Sequence, residues 1–319
     1  MVNINSVFIT GGAGFIGSNL ADRMISIGKK VTVYDNFSTG NRRFLENIEN
    51  HEKFSLIEGD VLDFELLQNS LKDHDFVFHF SANADVRFGL DHPNKDLEQN
   101  TIATFNVLEA MKKNSIKNIA FSSTGSIYGE CKVIPTPENA PFPVQTSLYA
   151  ASKLAGEGLI SSYCEGYGFR SWIYRFVGVL GRRYTHGHLI DFFKKLKENS
   201  SELYVLGDGK QKKSYIYIDD CVDSILCSIE NSDEKINIFN FGCDGYVEVN
   251  DSIEIIKNYL NIDPKIKYAG GERGWIGDNP FIYLDTKKIR SLGWSEKKNI
   301  KESILETIKW IDKNQWAIK

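Results

Sequence analysis

The run Val7-Phe8-Ile9-Thr10-Gly11-Gly12-Ala13-Gly14-Phe15-Ile16-Gly17 constrains this chain more than any other stretch. Its apolar start reads as a buried strand, its glycines as a tight turn, and Leu20, Ala21, Met24 and Ile27 as the inward face of a helix ending at Gly28. The spacing is Gly-x-x-Gly-x-x-Gly, not the more familiar Gly-x-Gly-x-x-Gly of dinucleotide-binding turns, but the physics is shared. Gly11 permits a tight turn off the strand, Gly14 lets backbone approach a pyrophosphate, and Gly17 lets the helix pack close to the sheet. Phe15 and Ile16 open a helix whose free N–H groups and positive dipole end suit phosphates. Glycines alone also punctuate ordinary turns. Here a second strand, Val31-Thr32-Val33-Tyr34, ends on Asp35. An acid about 20 residues after the loop is placed to take the two ribose hydroxyls of NAD and to repel a 2′-phosphate, so NAD is expected rather than NADP.

Composition narrows the class further. A chain of 319 residues suffices for one large or two modest domains. Hydrophobic residues at 42% and charged residues at 25% are ordinary for a soluble protein. A net charge of -4 gives no basic footprint and argues against nucleic acid as a partner. No apolar run approaches a membrane span and the N-terminus lacks a signal-peptide pattern, so no membrane partner and a cytoplasmic location are expected. Cys131, Cys164, Cys221, Cys227 and Cys243 lack metal-ligand pairing and read as reduced thiols, with no metal expected.

Taken in order, the chain alternates strands and helices. Asn36-Phe37-Ser38-Thr39-Gly40-Asn41 is a polar turn beside Asp35, with Asn36, Ser38 and Gly40 as candidate cofactor contacts. A strand over 54–57 runs out to Asp60 and Val61. Asp60 either bonds an adenine amino group, with Val61 beside the ring, or caps the next helix. A strand over 76–80 leads through Phe80, Ser81 and Ala82, small enough after the ring to pass close beneath a cofactor. His79 inside that strand reads as a packed core histidine. The segment 97–113 reads as one helix, carrying Asn100 as a further cofactor-side residue. A strand over 118–124 ends in Ser122-Ser123-Thr124, and a helix starting near Ser147 carries Tyr149 and Lys153. This order predicts an α/β fold with a doubly wound parallel sheet and ligands at the strands' C-terminal edge. Beyond Arg175 the rhythm breaks. A smaller, discontinuous substrate domain is expected, from 178–213 with 247–319, against a Rossmann domain of 1–177 with 214–246. The piece 214–246 is expected to return to the first sheet as strand, helix and strand.

The chemistry lies at the end of that alternation. Tyr149 and Lys153 are four apart and share a helix face. A neighbouring ammonium and a positive nicotinamide ring both favour phenolate, so Tyr149 is expected to have a lowered pKa and to act as base. Lys153 also suits the nicotinamide ribose, beside Ser122. Thr124, at its strand end, can hydrogen-bond a substrate C–O group and hold it beside Tyr149. Such a set moves a hydride to or from a carbinol carbon.

At this point the sequence resembles the extended short-chain dehydrogenase/reductases, in their nucleotide-sugar epimerase/dehydratase branch. The resemblance rests on Thr10 to Gly17, on the run Asn100-Thr101-Ile102-Ala103-Thr104-Phe105-Asn106, on Ser122-Ser123-Thr124-Gly125-Ser126-Ile127-Tyr128-Gly129 and on Tyr149-Ala150-Ala151-Ser152-Lys153. Gly207-Asp208-Gly209, Gln211, Tyr217, Asp219-Asp220, Gly277-Asp278 and Leu292-Gly293-Trp294 extend it over nearly the whole chain. It implies an NDP-sugar substrate, Thr124 in the Ser/Thr role, and a homodimer built through the helices of Asn100 and Tyr149. Branch 4,6-dehydratases carry an Asp-Glu pair after the catalytic hydroxyl residue, and related sugar-acid decarboxylases carry an acid at the second position. Here Gly125 and Ser126 stand there and neither titrates. What remains is oxidation at C4, then either hydride return, as in UDP-glucose 4-epimerases, or release of the ketone by a 4-dehydrogenase. A non-catalytic NAD sensor or scaffold is the reading from another class. Candidate substrate contacts are Arg87, Thr124, Ser126, Tyr149, Gly178, Arg183, Lys213 and Arg273. The family's Asn is replaced at Gly178, its Arg at Lys213, and a Pro before the tyrosine at Leu148.

Overall fold

The computed structural model describes residues 4–83, 88–142, 144–274 and 279–318. Six strands, β1 (Ser6–Thr10), β2 (Lys30–Asp35), β3 (Phe54–Glu58), β4 (Phe76–His79), β5 (Asn118–Thr124) and β6 (Arg170–Phe176), follow the alternation read from the sequence. With the strand Ile236–Phe241 they form a seven-stranded parallel sheet, in the order β3-β2-β1-β4-β5-β6 and then Ile236–Phe241. Strand order reverses between β1 and β4, so their C-terminal ends open the crevice where such sheets bind ligands.

Both faces of the sheet are covered, which is why its strands are nearly continuous apolar runs. Along β1, Val7 and Ile9 enter one core and Phe8 the other, as the two-residue period of a strand requires. The helix Leu148–Tyr167 is capped by Ser147, whose side chain accepts from the Ala150 N–H at 3.1 Å, and ends at Gly168 in left-handed backbone.

Two expectations need correction. Of the segment 214–246, only Ile236–Phe241 joins the main sheet, beside β6. Tyr215–Tyr217 pairs instead with Gly178–Leu180, the chain that continues just past β6, because the β6 edge is already taken by Ile236–Phe241. The segment 97–113 is not one regular helix. Leu97–Ile102 is a π-helical turn, and regular helix resumes at Ala103–Lys113. Such turns are rare and often lie at functional sites, and this one carries the buried Asn100. No helix among the described residues is long and apolar enough to cross a membrane.

Candidate active site

The cofactor end is built from main chain. Gly11 has a φ of +67°, and a Cβ there would lie 2.6 Å from the Ser81 nitrogen and 2.8 Å from the Phe80 carbonyl carbon. The turn therefore touches the outgoing end of β4 backbone to backbone. Gly17 packs against the Gly11 carbonyl so closely that a methyl group would not fit. Gly14 is the N-cap of Phe15–Ser26 and offers no side-chain cap, and the first turn holds no acid. The helix N–H groups are left for an anion, as a pyrophosphate needs.

Asp35 is buried at the tip of β2. Its Oδ2 accepts from the Ala13 N–H at 2.9 Å and its Oδ1 from the Phe37 N–H at 2.8 Å. Burial pushes its pKa up, and those two N–H groups oppose the shift. A Cβ on Gly40 would come within 2.8 Å of Asp35 Oδ1, so glycine keeps the carboxylate's flank clear. Asn36 donates from Nδ2 to Asp60 Oδ2 at 2.8 Å, and its Oδ1 accepts from the Ser38 N–H at 3.0 Å. Asp60 is not the cap of the next helix: it accepts from the Leu62 N–H at 2.9 Å, while Asp63 caps Phe64–Ser70. Val61 is buried, and its carbonyl accepts from Asn106 Nδ2 at 3.1 Å. Phe15 and Ile16 are half-buried, as are Phe80, Ser81 and Ala82 just past β4. These residues fit a dinucleotide: a cap-free helix end, a glycine turn with no room for side chains, and an acid at the β2 tip.

His79 is the packed core residue its strand suggested. Its Nδ1 lies 2.8 Å from Thr10 Oγ1 and its Nε2 lies 3.0 Å from Thr104 Oγ1. Burial, helped by the charge of Lys153, pushes its pKa down to about 3, so it is a neutral ring at physiological pH.

The reactive groups meet at the end of β5. Tyr149 is hydrogen-bonded to the Thr124 side chain, and Thr124 Oγ1 in turn accepts from the Ser126 N–H at 3.1 Å and donates to Ser126 Oγ at 3.2 Å. Burial pushes the Tyr149 phenol up to about 12, the Thr124 bond opposes this, and Asp96 adds to it. The expected lowering is therefore not met by the protein's own groups: loss of solvent around a phenolate outweighs everything nearby. Lys153 is wholly buried, and burial brings its amine down to about 7 against the pull of Glu157. Its Nζ donates to Ser122 Oγ at 3.5 Å and lies 4.5 Å from the centre of the Phe121 ring. Asn100 braces this helix: Nδ2 donates to Ser152 Oγ at 2.9 Å, and Oδ1 accepts from the Asn83 N–H at 3.0 Å.

The substrate candidates scatter more. Arg87, like Gly277 and Asp278, lies outside the described residues. Arg183, an expected diphosphate contact, already has an internal partner. It is buried, donates from Nη2 to Asp22 Oδ2 at 2.8 Å, and lies over the Phe44 ring, because a cation surrounded by apolar neighbours needs an internal partner. Lys213 donates from Nζ to the Asn279 carbonyl at 2.5 Å, and Arg273 is half-exposed and paired with Glu130. Gly178 is explained by its neighbour: a Cβ there would lie 2.6 Å from two carbons of the Tyr215 ring. At Gly125 a Cβ would press on Leu284 at 3.1 Å and the Phe176 carbonyl at 3.3 Å, which leaves little room for an acid. Sequence reasoning missed Glu157 and Arg175, a buried pair beside Lys153 joined at 2.7 Å. The signal was available, since Glu157 stands four residues after Lys153 on the same face.

With this geometry in place, comparison with known proteins decides the family. The model of the NAD dependent epimerase/dehydratase family matches residues 7–242. The chain belongs to that family. It is an NAD-dependent epimerase/oxidoreductase of the extended short-chain dehydrogenase/reductase group, and its cofactor is NAD. A protein of Methanocaldococcus jannaschii described as a putative UDP-glucose 4-epimerase is 33% identical over 97% of this chain and 99% of its own length. The crystal structure of a UDP-galactose 4-epimerase superimposes with a TM-score of 0.87 at 33% identity, covering 98% of this chain and all of the other. A UDP-N-acetylglucosamine 4-epimerase of Methanobrevibacter ruminantium, solved with UDP-N-acetylmuramic acid, gives a TM-score of 0.86 at 31% identity over 98% of this chain and 100% of the other.

Proposed function

We propose that this enzyme is a nucleotide-sugar 4-epimerase working through a transient 4-keto sugar. The hydrogen-bonded Thr124–Tyr149 pair at the end of β5, one helical turn from the Lys153 amine, carries the reading. When bound, NAD supplies the acceptor that takes up the C4 hydride and gives it back. Tyr149 removes the C4 hydroxyl proton as general base, keeps it on the phenol oxygen while C4 is a ketone, and returns it to the same oxygen. Thr124 Oγ1 orients that hydroxyl. Burial alone leaves the phenol protonated, so a cation beside it is required, and Lys153 in its ammonium form is the residue one turn away. Gly125 and Ser126 offer no acid or base for eliminating water, which favours epimerisation over dehydration.

The similar proteins, described as epimerases of UDP-glucose, UDP-galactose and UDP-N-acetylglucosamine, favour a uridine diphosphate sugar as substrate; a part in supplying sugars for glycan synthesis, in the cytoplasm, belongs to the same proposal. Tyr149→Phe removes the base and leaves the fold, so turnover should fall by about 10²–10⁴-fold while NAD affinity is kept. Wild-type turnover in that variant would sink the assignment.

A second copy of this chain is the proposed partner. Leu97, Ile102, Phe105 and Leu148 are 52%, 41%, 45% and 45% exposed, all on the two segments that flank Asn100 and Tyr149. Light scattering should report a dimer, and a Phe105→Glu variant should shift it to monomer. A wild-type monomer at working concentration would contradict this.

A further inference from the structure

Three consecutive β5 residues meet three side chains spaced one turn apart along Leu148–Tyr167. Thr124 bonds Tyr149, Ser122 accepts from Lys153, and Ser123 Oγ donates to Glu157 Oε1. Glu157 is also clamped from β6: Arg175 donates from Nε to Oε1 at 3.1 Å and from Nη2 to Oε2 at 2.7 Å. Both side chains are almost wholly buried, at 2% and 6% exposure. Arg175 Nη1 reaches on to the Tyr128 hydroxyl at 2.7 Å and the Glu138 carbonyl at 2.8 Å.

A buried ion pair is a weak device for stability, since desolvation consumes most of its Coulomb gain. Its neighbour gives it a use. Lys153 is 1% exposed, and the hydrogen bond it donates to Ser122 is long and goes to a neutral hydroxyl. An amine buried this way sheds its proton unless an anion stands close. From β4 it faces His79, a neutral ring, and from β5 it faces the Phe121 ring and Ser122. Its own helix presents Tyr149 and Glu157, and β6 presents Arg175 beyond Glu157. Asp96 accepts from Asn100 and acts on Tyr149. Among the described residues, Glu157 is the carboxylate that acts on Lys153.

We propose that Glu157 is a positioning residue of this enzyme: clamped by Arg175 and Ser123 one helical turn from Lys153, it favours the ammonium form of that side chain at the Ser122 end of β5. The proposal rests on the reading of Lys153 as part of the catalytic set. Arg175 shares the carboxylate's charge, so the two residues pull on Lys153 in opposite directions. Glu157 favours its proton and Arg175 opposes it.

The test follows the Lys153 ε-carbon by NMR in full-length protein labelled with ¹³C-lysine, titrated through the neutral and alkaline range, with the signal assigned by its loss in Lys153→Met. Glu157→Gln keeps the shape and removes the charge. It should lower the Lys153 midpoint by about one pH unit or more, and the alkaline limb of kcat should fall at the correspondingly lower pH. Arg175→Gln should raise the midpoint. If Arg175→Gln does not fold, the double variant Glu157→Leu/Arg175→Met replaces the pair by apolar groups of similar size and should lower the midpoint by less than Glu157→Gln does, because the opposing charge leaves with the carboxylate; a lowering equal to or larger than that of Glu157→Gln overturns the opposing role of Arg175. An unmoved midpoint in folded Glu157→Gln, or shifts of the same sign in the two single variants, overturns the proposal. Lys153→Met with wild-type turnover would instead overturn the catalytic reading of Lys153. An inactive Lys153→Met alongside an unmoved Glu157→Gln midpoint overturns the positioning role alone.

Discussion

Gly11, in the turn after β1, and Gly178, at the proposed sugar end, are glycine for different reasons. Gly11 combines a φ of +67° with main-chain neighbours at 2.6–2.8 Å, atoms that no substitution elsewhere removes. Gly178 lies in a short strand, and what blocks a side chain there is the Tyr215 ring at 2.6 Å. A ring can be replaced, whereas a peptide plane cannot. The turn at the cofactor end is thus fixed by backbone geometry, and the proposed sugar end by a mutable set of side chains. Two of the three departures from the family's pattern, at Gly178 and Lys213, fall at the proposed sugar end, and the third, Leu148, stands beside Tyr149.

The sharpest way to break this contrast is Gly11→Ala. Positive φ and a main-chain clash together should cost roughly 3 kcal/mol or more and abolish measurable NAD binding, read by thermal melting and calorimetric NAD titration. Near-normal NAD affinity in that variant would end the claim that main chain sets the cofactor end. Gly178→Asn sharpens it at the other end. Alone it should cost about 1–3 kcal/mol by overpacking against Tyr215, with NAD affinity unchanged. Adding Tyr215→Ala should recover part of that loss, a coupling measurable by denaturant unfolding of the double-mutant cycle. Strict additivity would show that the ring is not what holds position 178 to glycine.

This division also explains what could be read from the sequence. The β1–turn–helix unit, the acid ending β2, the hydroxyl-ended β5 and the Tyr149/Lys153 face were all visible, because each follows from local rules of spacing and backbone. His79 was readable as a core residue from its apolar strand alone. The pairing of Arg183 with Asp22 joins positions far apart in sequence, and nothing local to Arg183 signals it. The same holds for Tyr215 over Gly178 and for Tyr215–Tyr217 leaving the main sheet, since a strand's period does not name its partner. The π-helical turn at Leu97–Ile102 escaped for another reason: its side-chain spacing passes for an ordinary helix. The raised phenol of Tyr149 is a burial effect, and helical spacing carries no information about depth.

The central claim is that one hydride leaves C4 and the same hydride returns to it. A uridine diphosphate hexose carrying deuterium at C4, incubated in ordinary water with this enzyme and NAD and followed by NMR, tests that claim most directly. The account predicts a C4-inverted product that retains its deuterium, with no net NADH at equilibrium. Loss of the label to solvent, or a 4-keto product formed with stoichiometric NADH, would contradict it.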